Sequence, residues 1–328
     1  MRQTATALML LCVLVTGCGG GGGGSSSPPA LGSIASKLFV ADAGNSSIAS
    51  TVDADPPSGT LAFDRVIDGA ATGISNNVRS LAIDPSRGLL YVANGGEILV
   101  FSNPGTADGN VSPARTIDSA DFGNIIALYL DTTNDVLYAG DSAQGVWMIH
   151  AASTRDGTLT PDRRLTGNFG AVSFQIHDIF VDTTRNLLYV SRTTSASEVL
   201  VFGNASSVNG TNITAARTIT PSPSMGVRTI FADVGRDELY AANVGSSTIV
   251  VFAAASSADG STPADRIVNW GSSTVDFVVD TAHDRLYAID SLNMFILYDA
   301  HLLTGTVTPT KTLSVPGGTV VSAIAVNP

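Results

Sequence analysis

The chain has 328 residues, 44% of them apolar and only 14% charged, and its net charge is −11 at neutral pH. An acidic surface of this kind argues against a nucleic-acid partner and against direct adsorption to anionic lipid. No block of like charges marks a binding tail.

Chain order begins with an export segment. Arg2 precedes the apolar stretch Ala5 to Val15, which is too short to span a bilayer and fits the apolar region of a secretory signal. The stretch ends in Leu14-Val15-Thr16-Gly17-Cys18, which resembles a bacterial lipobox. The resemblance implies cleavage after residue 17, diacylglycerol on the Cys18 sulfur, and a bacterial envelope membrane as the first partner. Because Gly19 is not Asp, it implies the outer membrane. The alternative is an ordinary signal peptide with an incidental Cys. Residues 18–36 continue as Gly19 to Gly24, Ser25 to Ser27 and Pro28-Pro29, a composition that stays flexible and makes a tether. With Cys12 removed and Cys18 acylated, no disulfide is expected. The remaining domain, residues 37–328, must draw its stability from a buried core.

That domain is periodic. A pattern of apolar run, Asp, tight turn, Leu-Tyr, polar loop, second apolar run, Gly-bearing loop and basic residue fills it six times over. Asp84, Asp131, Asp182, Asp233 and Asp280 open the turns, and Asn327 takes the next place; the spacings are 47, 51, 51, 47 and 47. Phe39, Tyr91, Tyr138, Tyr189, Tyr240 and Tyr287 mark the second strand of each unit. Four short β-branched runs per unit, bounded by Gly, Asp, Asn and Pro, predict an all-β, six-bladed β-propeller with four-stranded blades, a to d. Strand a lacks alternation, as in Ile179-Phe180-Val181, and is expected to be buried on both faces. No helix is expected. The first unit lacks a strand a, and the chain ends in one, Ser322 to Asn327. The simplest reading closes the ring by pairing the C-terminal strand into blade 1, which removes open sheet edges. A seven-bladed ring with a degenerate blade near Asn45 to Asn77 is the alternative, in a stretch too short for four strands.

Leu90-Tyr91-Val92-Ala93-Asn94 and Leu239-Tyr240-Ala241-Ala242-Asn243, each followed by Ile-x-Val-Phe, resemble the YVTN and NHL types of propeller repeat. The Gly-His and Trp-Asp marks of WD repeats are absent. The resemblance implies the fold and leaves the function open. Six-bladed lactonases share this architecture, and their metal-binding set cannot be matched residue by residue.

In such a ring the b–c and d–a loops open on one face around the axis. The b–c loops begin with Asp42, Asn94, Asp141, Arg192, Asn243 and Asp290. Around the start of strand a lie Arg79, Asn124, His177, Asp178, Arg228 and Asp276. Together these predict a polar mouth for a protein, peptide or small-molecule ligand. Taken singly, an Asp or Asn in the b–c loops reads as a turn cap. Arg192 is expected to pair with Asp141 or to hold an anionic group. No cofactor is expected, although Asp42, Asp141 and Asp290 offer oxygen ligands for Ca²⁺ in the channel. The recurring base near strand d (Arg65, Arg115, Arg164, Arg217, Arg266, Lys311) is expected to act within its own blade. No nucleophile elbow, phosphate loop or Cys-His pairing occurs. The sequence therefore predicts a tethered, monomeric binding module, with a cation-dependent hydrolase or a passive scaffold as alternatives.

Overall fold

The computed structural model describes residues 38–167, 175–193, 197–222, 224–243, 246–316 and 320–327. The expected signal peptide, Cys18, the tether and Lys37 lie outside them. Six small sheets make up a six-bladed β-propeller. Strand a of each blade touches strand a of the next all the way round, and the last contact joins Val321–Val326 to Val78–Asp84. Closure is as expected: Leu38–Asp42 pairs on one side with Ser47–Thr51 and on the other with Val321–Val326.

The core is divided among the seams between blades. There are six apolar clusters, one per seam, and the aromatic of strand b sits in each. Phe39 packs against Leu99 and Phe101 of the next blade, and Tyr287 of blade 6 packs against Leu38 and Val40 of blade 1. The centres of strands b and c are buried because both of their faces meet a neighbouring blade; in Leu89–Asn94 every residue is buried. Strand a differs from expectation. Its axis-facing residues Tyr129, Phe180, Phe231 and Val278 are only half-buried, because the ring leaves a channel along its axis.

The turn-opening Asp explains its own recurrence. Each is buried and accepts the backbone N–H three residues on, as Asp84 does from Arg87 at 3.0 Å and Asp233 from Arg236 at 3.0 Å. The second carboxylate oxygen takes the side chain of that same residue: Arg87, Asn134, Arg185, Arg236 or His283. A buried carboxylate that accepts both backbone and side-chain donors fixes the turn.

Five blades have five strands, not four. The c–d loop of each blade lays a short segment in parallel beside strand d of the preceding blade, at Ile117–Gly157, Leu165–Gly210, Ile219–Gly260, Val268–Gly305 and Leu313–Gly59. In blade 1 the same contact is a single bridge, Ile67–Gly109. The glycines at these crossings have φ between 66° and 143°, a range that a residue with a Cβ adopts only under strain. The residue before the glycine caps the neighbouring strand: Asp108, Asp156, Asn209 and Asp259 accept N–H groups of Val66, Thr116, Arg164 and Thr218. Asp-Gly here is a latch between blades as well as a turn. It covers outer edges that would otherwise stay unpaired.

In four blades the base near strand d is an inter-blade clasp, a reach beyond the expected role within one blade, which Arg266 also fills by pairing with Glu238 of its own blade. Arg65 donates to the Gly105 carbonyl, Arg163 to those of Ala205 and Val208, Arg266 to those of Ala300 and Leu303, and Lys311 to Asp55. Each acceptor lies in the next blade. In blade 3 the clasp is Arg163, not Arg164, because Arg163 sits opposite Met148 in the register that the other clasps share.

Candidate functional site

Strand a enters the sheet through a β-bulge. In blades 1 to 4 the pairing with strand b skips one residue: Ser322, Arg79, Ile126 and His177. Arg228 and Val275 hold the corresponding place in blades 5 and 6, just before Thr229 and Asp276. A bulged residue is turned out of the ladder, and here all six line one axial cavity of about 570 Å³. Each blade thus supplies one side chain to the mouth, and Asn124 of blade 3 joins them.

One residue further along, the chain alternates. Blades 2, 4 and 6 carry Ser80, Asp178 and Asp276; blades 3, 5 and 1 carry Ala127, Thr229 and Ala323. The three polar groups each accept a backbone N–H from strand a of the following blade. Ser80 Oγ accepts from Leu128 at 3.0 Å, Asp178 Oδ2 from Ile230 at 2.8 Å and Asp276 Oδ2 from Ile324 at 3.0 Å. They form a waist, shared by the polar mouth above and a chamber of about 300 Å³ below. The lower chamber adds aromatic rings to the waist carboxyls, with Tyr129 and Phe180 at 5.0 Å and Phe180 and Phe231 at 5.1 Å between ring centroids, edge to face.

Electrostatics at the waist follow from enclosure. Burial pushes Asp276 up to about 7, and its two backbone donors only partly oppose this. Burial also raises Asp178 well above the ordinary carboxylate range, and the nearby Asp276 adds to the rise. Both carboxyls accept the N–H of their own following residue through Oδ1, so all four oxygens are committed to strand backbones. His177 is pulled down to about 4 by burial and then by the Arg228 cation, and its Nε2 hydrogen-bonds Thr193 Oγ1 at 2.9 Å. At neutral pH the mouth therefore holds a neutral imidazole and two guanidinium groups above a half-ionised Asp276.

Of the expected site residues, Arg79, Asn124, His177, Asp178, Arg228 and Asp276 are gathered at the cavity. The b–c residues are held by hydrogen bonds of their own loops and hairpins. Asp42 accepts from Gly44 and Asn45, and Asp290 accepts from Leu292, Asn293 and Ser272. Asp141 takes four N–H groups, those of Gly123, Asn124, Ala143 and Gln144. Asn94 bridges Ser75, Gly73 and Glu97, and the Asn243 carbonyl accepts from Ser246. Arg192 pairs with Glu198 of its own hairpin, at 2.7 Å through Nε, and not with Asp141. The adjacent residue of strand c is nearer than a carboxylate in another blade. Ser80, Ile126, Val275 and Ser322 also line the cavity, and their only signal in the sequence is their place at the start of strand a. Among the described residues, no group of three or more His, Cys, Asp or Glu side chains is placed to hold a metal ion.

No family model matches the chain, and no curated protein matches it. Solved structures do, in 1228 chains. One is the crystal structure of a nidogen/laminin complex, with a TM-score of 0.58 and 14% identity over 88% of this chain and 97% of that one. At that identity the likeness shows the fold alone, consistent with a six-bladed propeller.

Proposed function

We propose that this chain is a binding and interaction module whose recognition site is the axial mouth. One observation carries the reading. Six blades that are nearly alike elsewhere present Ser322, Arg79, Ile126, His177, Arg228 and Val275 to a single cavity. Recognition of an asymmetric ligand needs that asymmetry, and a rim of hydrogen-bonded turns keeps the site preorganised. The nidogen/laminin complex supports a protein or peptide partner as one arm of the test. A thermal-shift screen of peptides, sugars, lactones, organic acids and divalent ions should give a hit that Ser322→Trp abolishes. Ser322 is skipped by the strand pairing and lines the cavity, so Trp at that bulge puts an indole into the mouth from blade 1. A hit that binds unchanged to the plugged variant places the site elsewhere.

The address is a separate part of the proposal. The Leu14 to Cys18 run and the Gly/Ser tether support diacylglycerol on Cys18 and residence at the outer membrane of a bacterial envelope. Cys18→Ser should move the protein to the soluble fraction and end labelling by a fatty-acid analogue. Unchanged fractionation and labelling would remove the anchor from the picture.

A further inference from the structure

The mouth carries an unusual charge for this chain. Acids outnumber Lys and Arg by 28 to 17, yet among the described residues neither Arg79 nor Arg228 forms an ion pair. Arg79 donates from Nε to the neutral Asn77 amide at 3.0 Å, and both side chains are exposed to the cavity. The loop segments outside the described residues, 168–174, 194–196, 244–245 and 317–319, contain no Asp or Glu, so they hold no acid that could pair with either arginine. The two carboxyls at the waist are committed to backbone N–H groups of Ile179, Ile230, Phe277 and Ile324. Blades 2 and 5, which bear the two arginines, are opposite in a ring of six. Two guanidinium groups thus face the same cavity from opposite walls, each with donors to spare.

We infer that the mouth takes a small molecule bearing two anionic oxygen-acid groups, one held by Arg79 and the other by Arg228. This rests on the axial-mouth reading and narrows it to a ligand class. A planar guanidinium binds a carboxylate or phosphate through two donors in fixed geometry. Asn124 and His177, between the two arginines on blades 3 and 4, offer neutral polar contacts to the connecting atoms. The titratable groups facing the ligand are Arg79, His177, Asp178, Arg228 and Asp276; blades 1 and 3 contribute none among the described residues. Asp276 lies beneath the ligand, so its ionisation above about 7 should weaken binding.

The test is calorimetric titration of the full chain at pH 6 with malonate, succinate, glutarate and adipate, against acetate and inorganic phosphate as single-centre anions. One dicarboxylate length should bind about 10-fold or more tighter than acetate, the scale of one additional charge-assisted pair. Arg79→Gln and Arg228→Gln should each reduce it to the level of acetate, whereas Arg236→Gln, in a turn at the opposite end of strand a, should leave it unchanged. The advantage should shrink above pH 7 in the parent and persist in Asp276→Asn. Equal affinity for acetate and every dicarboxylate overturns the inference, as does tight binding that survives both arginine variants. If a peptide or sugar binds and is lost on Ser322→Trp while no diacid binds, the mouth reading stands and this one falls. If a diacid binds and survives Ser322→Trp, both fall.

Discussion

Ring closure by the two chain ends makes a quantitative demand on residues 284 positions apart, Val40 and Ile324. They face each other across the Leu38–Asp42 and Val321–Val326 pair, and both belong to the cluster that seals blade 6 against blade 1. Val40 is 1% exposed and Ile324 6%, so truncation of either leaves a void that the flanking strands cannot collapse to fill. Ile324→Ala should cost about 3 kcal/mol and Val40→Ala about 2 kcal/mol. In a domain of this size each kcal/mol lowers the melting temperature by about 2 °C, so the first variant should melt about 6 °C below the parent. The decisive quantity is the coupling. Because each side chain is the other's cross-strand neighbour, the double variant should lose about 1 kcal/mol less than the sum of the two losses. Urea denaturation of the four proteins, followed by tryptophan fluorescence, gives the cycle directly. Leu302→Ala, at a site 65% exposed, is the control and should shift nothing. Losses that add without coupling would refute the pairing. So would a chain truncated after residue 319 that unfolds at the parental midpoint.

Three further outcomes follow from particular contacts. Gly145→Ala should destabilise by roughly 2–4 kcal/mol in chemical denaturation, since φ is 138° and a Cβ would sit 2.2 Å from the Leu165 carbonyl oxygen. Arg266→Met should cost about 2–4 kcal/mol, because it strips the Ala300 and Leu303 carbonyls and leaves Glu238 without its cation at 2.7 Å. Asp276 binds its proton more tightly when folded, with a pKa near 7 against 3.8, so stability should fall as pH rises from about 4 to 7 and level off above. Asp276→Asn should flatten that slope, while its single acceptor oxygen leaves either the Phe277 or the Ile324 N–H unpaired at every pH. A slope unchanged in Asp276→Asn would assign the pH dependence to another group.

Periodicity made the blades legible. The Asp of each a–b turn, the Tyr of strand b and the closing base recur because each blade repeats the same local contacts. Strand pairing within a blade joins near neighbours in sequence, and the alternation of apolar runs with turns is enough to read it. The same periodicity concealed where the repeated side chains reach. Arg266 bonds to Leu303, 37 residues on, and Asp259 caps Thr218, 41 residues back. Each distance is close to one repeat. In a periodic chain, contact with the same blade and contact with the next one leave the same trace in sequence. The fifth strands were illegible for this reason: two residues such as Gly157–Thr158 carry no periodicity of their own, and their glycines read as turns. The choice between Arg163 and Arg164 also required the register, which a bulge can move by one residue.

The two rings of polar residues expected at the mouth separate on the same physical grounds. At Asp42, Asp141 and Asp290 the b–c residue begins a tight turn, and its short carboxylate satisfies N–H groups that the turn leaves unpaired. Asp141, fully buried with four such donors, has no oxygen left to offer a ligand. The bulge residues are under no such obligation. Their backbone leaves the ladder, their side chains face an open axis, and nothing in the fold requires the same residue twice. Positions that hold the scaffold together converge on Asp, Tyr, Gly and Arg; the bulge position has diverged to Arg, Ile, His, Arg, Val and Ser. The waist residue alternates between Ser80, Asp178 and Asp276, which accept an N–H of the next blade, and Ala127, Thr229 and Ala323. Three acceptors are enough to tie six inner strands into pairs, and the small residues between them leave room for the channel. A repeat protein can make one site from six equal parts only where its repeats differ, and in this chain they differ most at the axis.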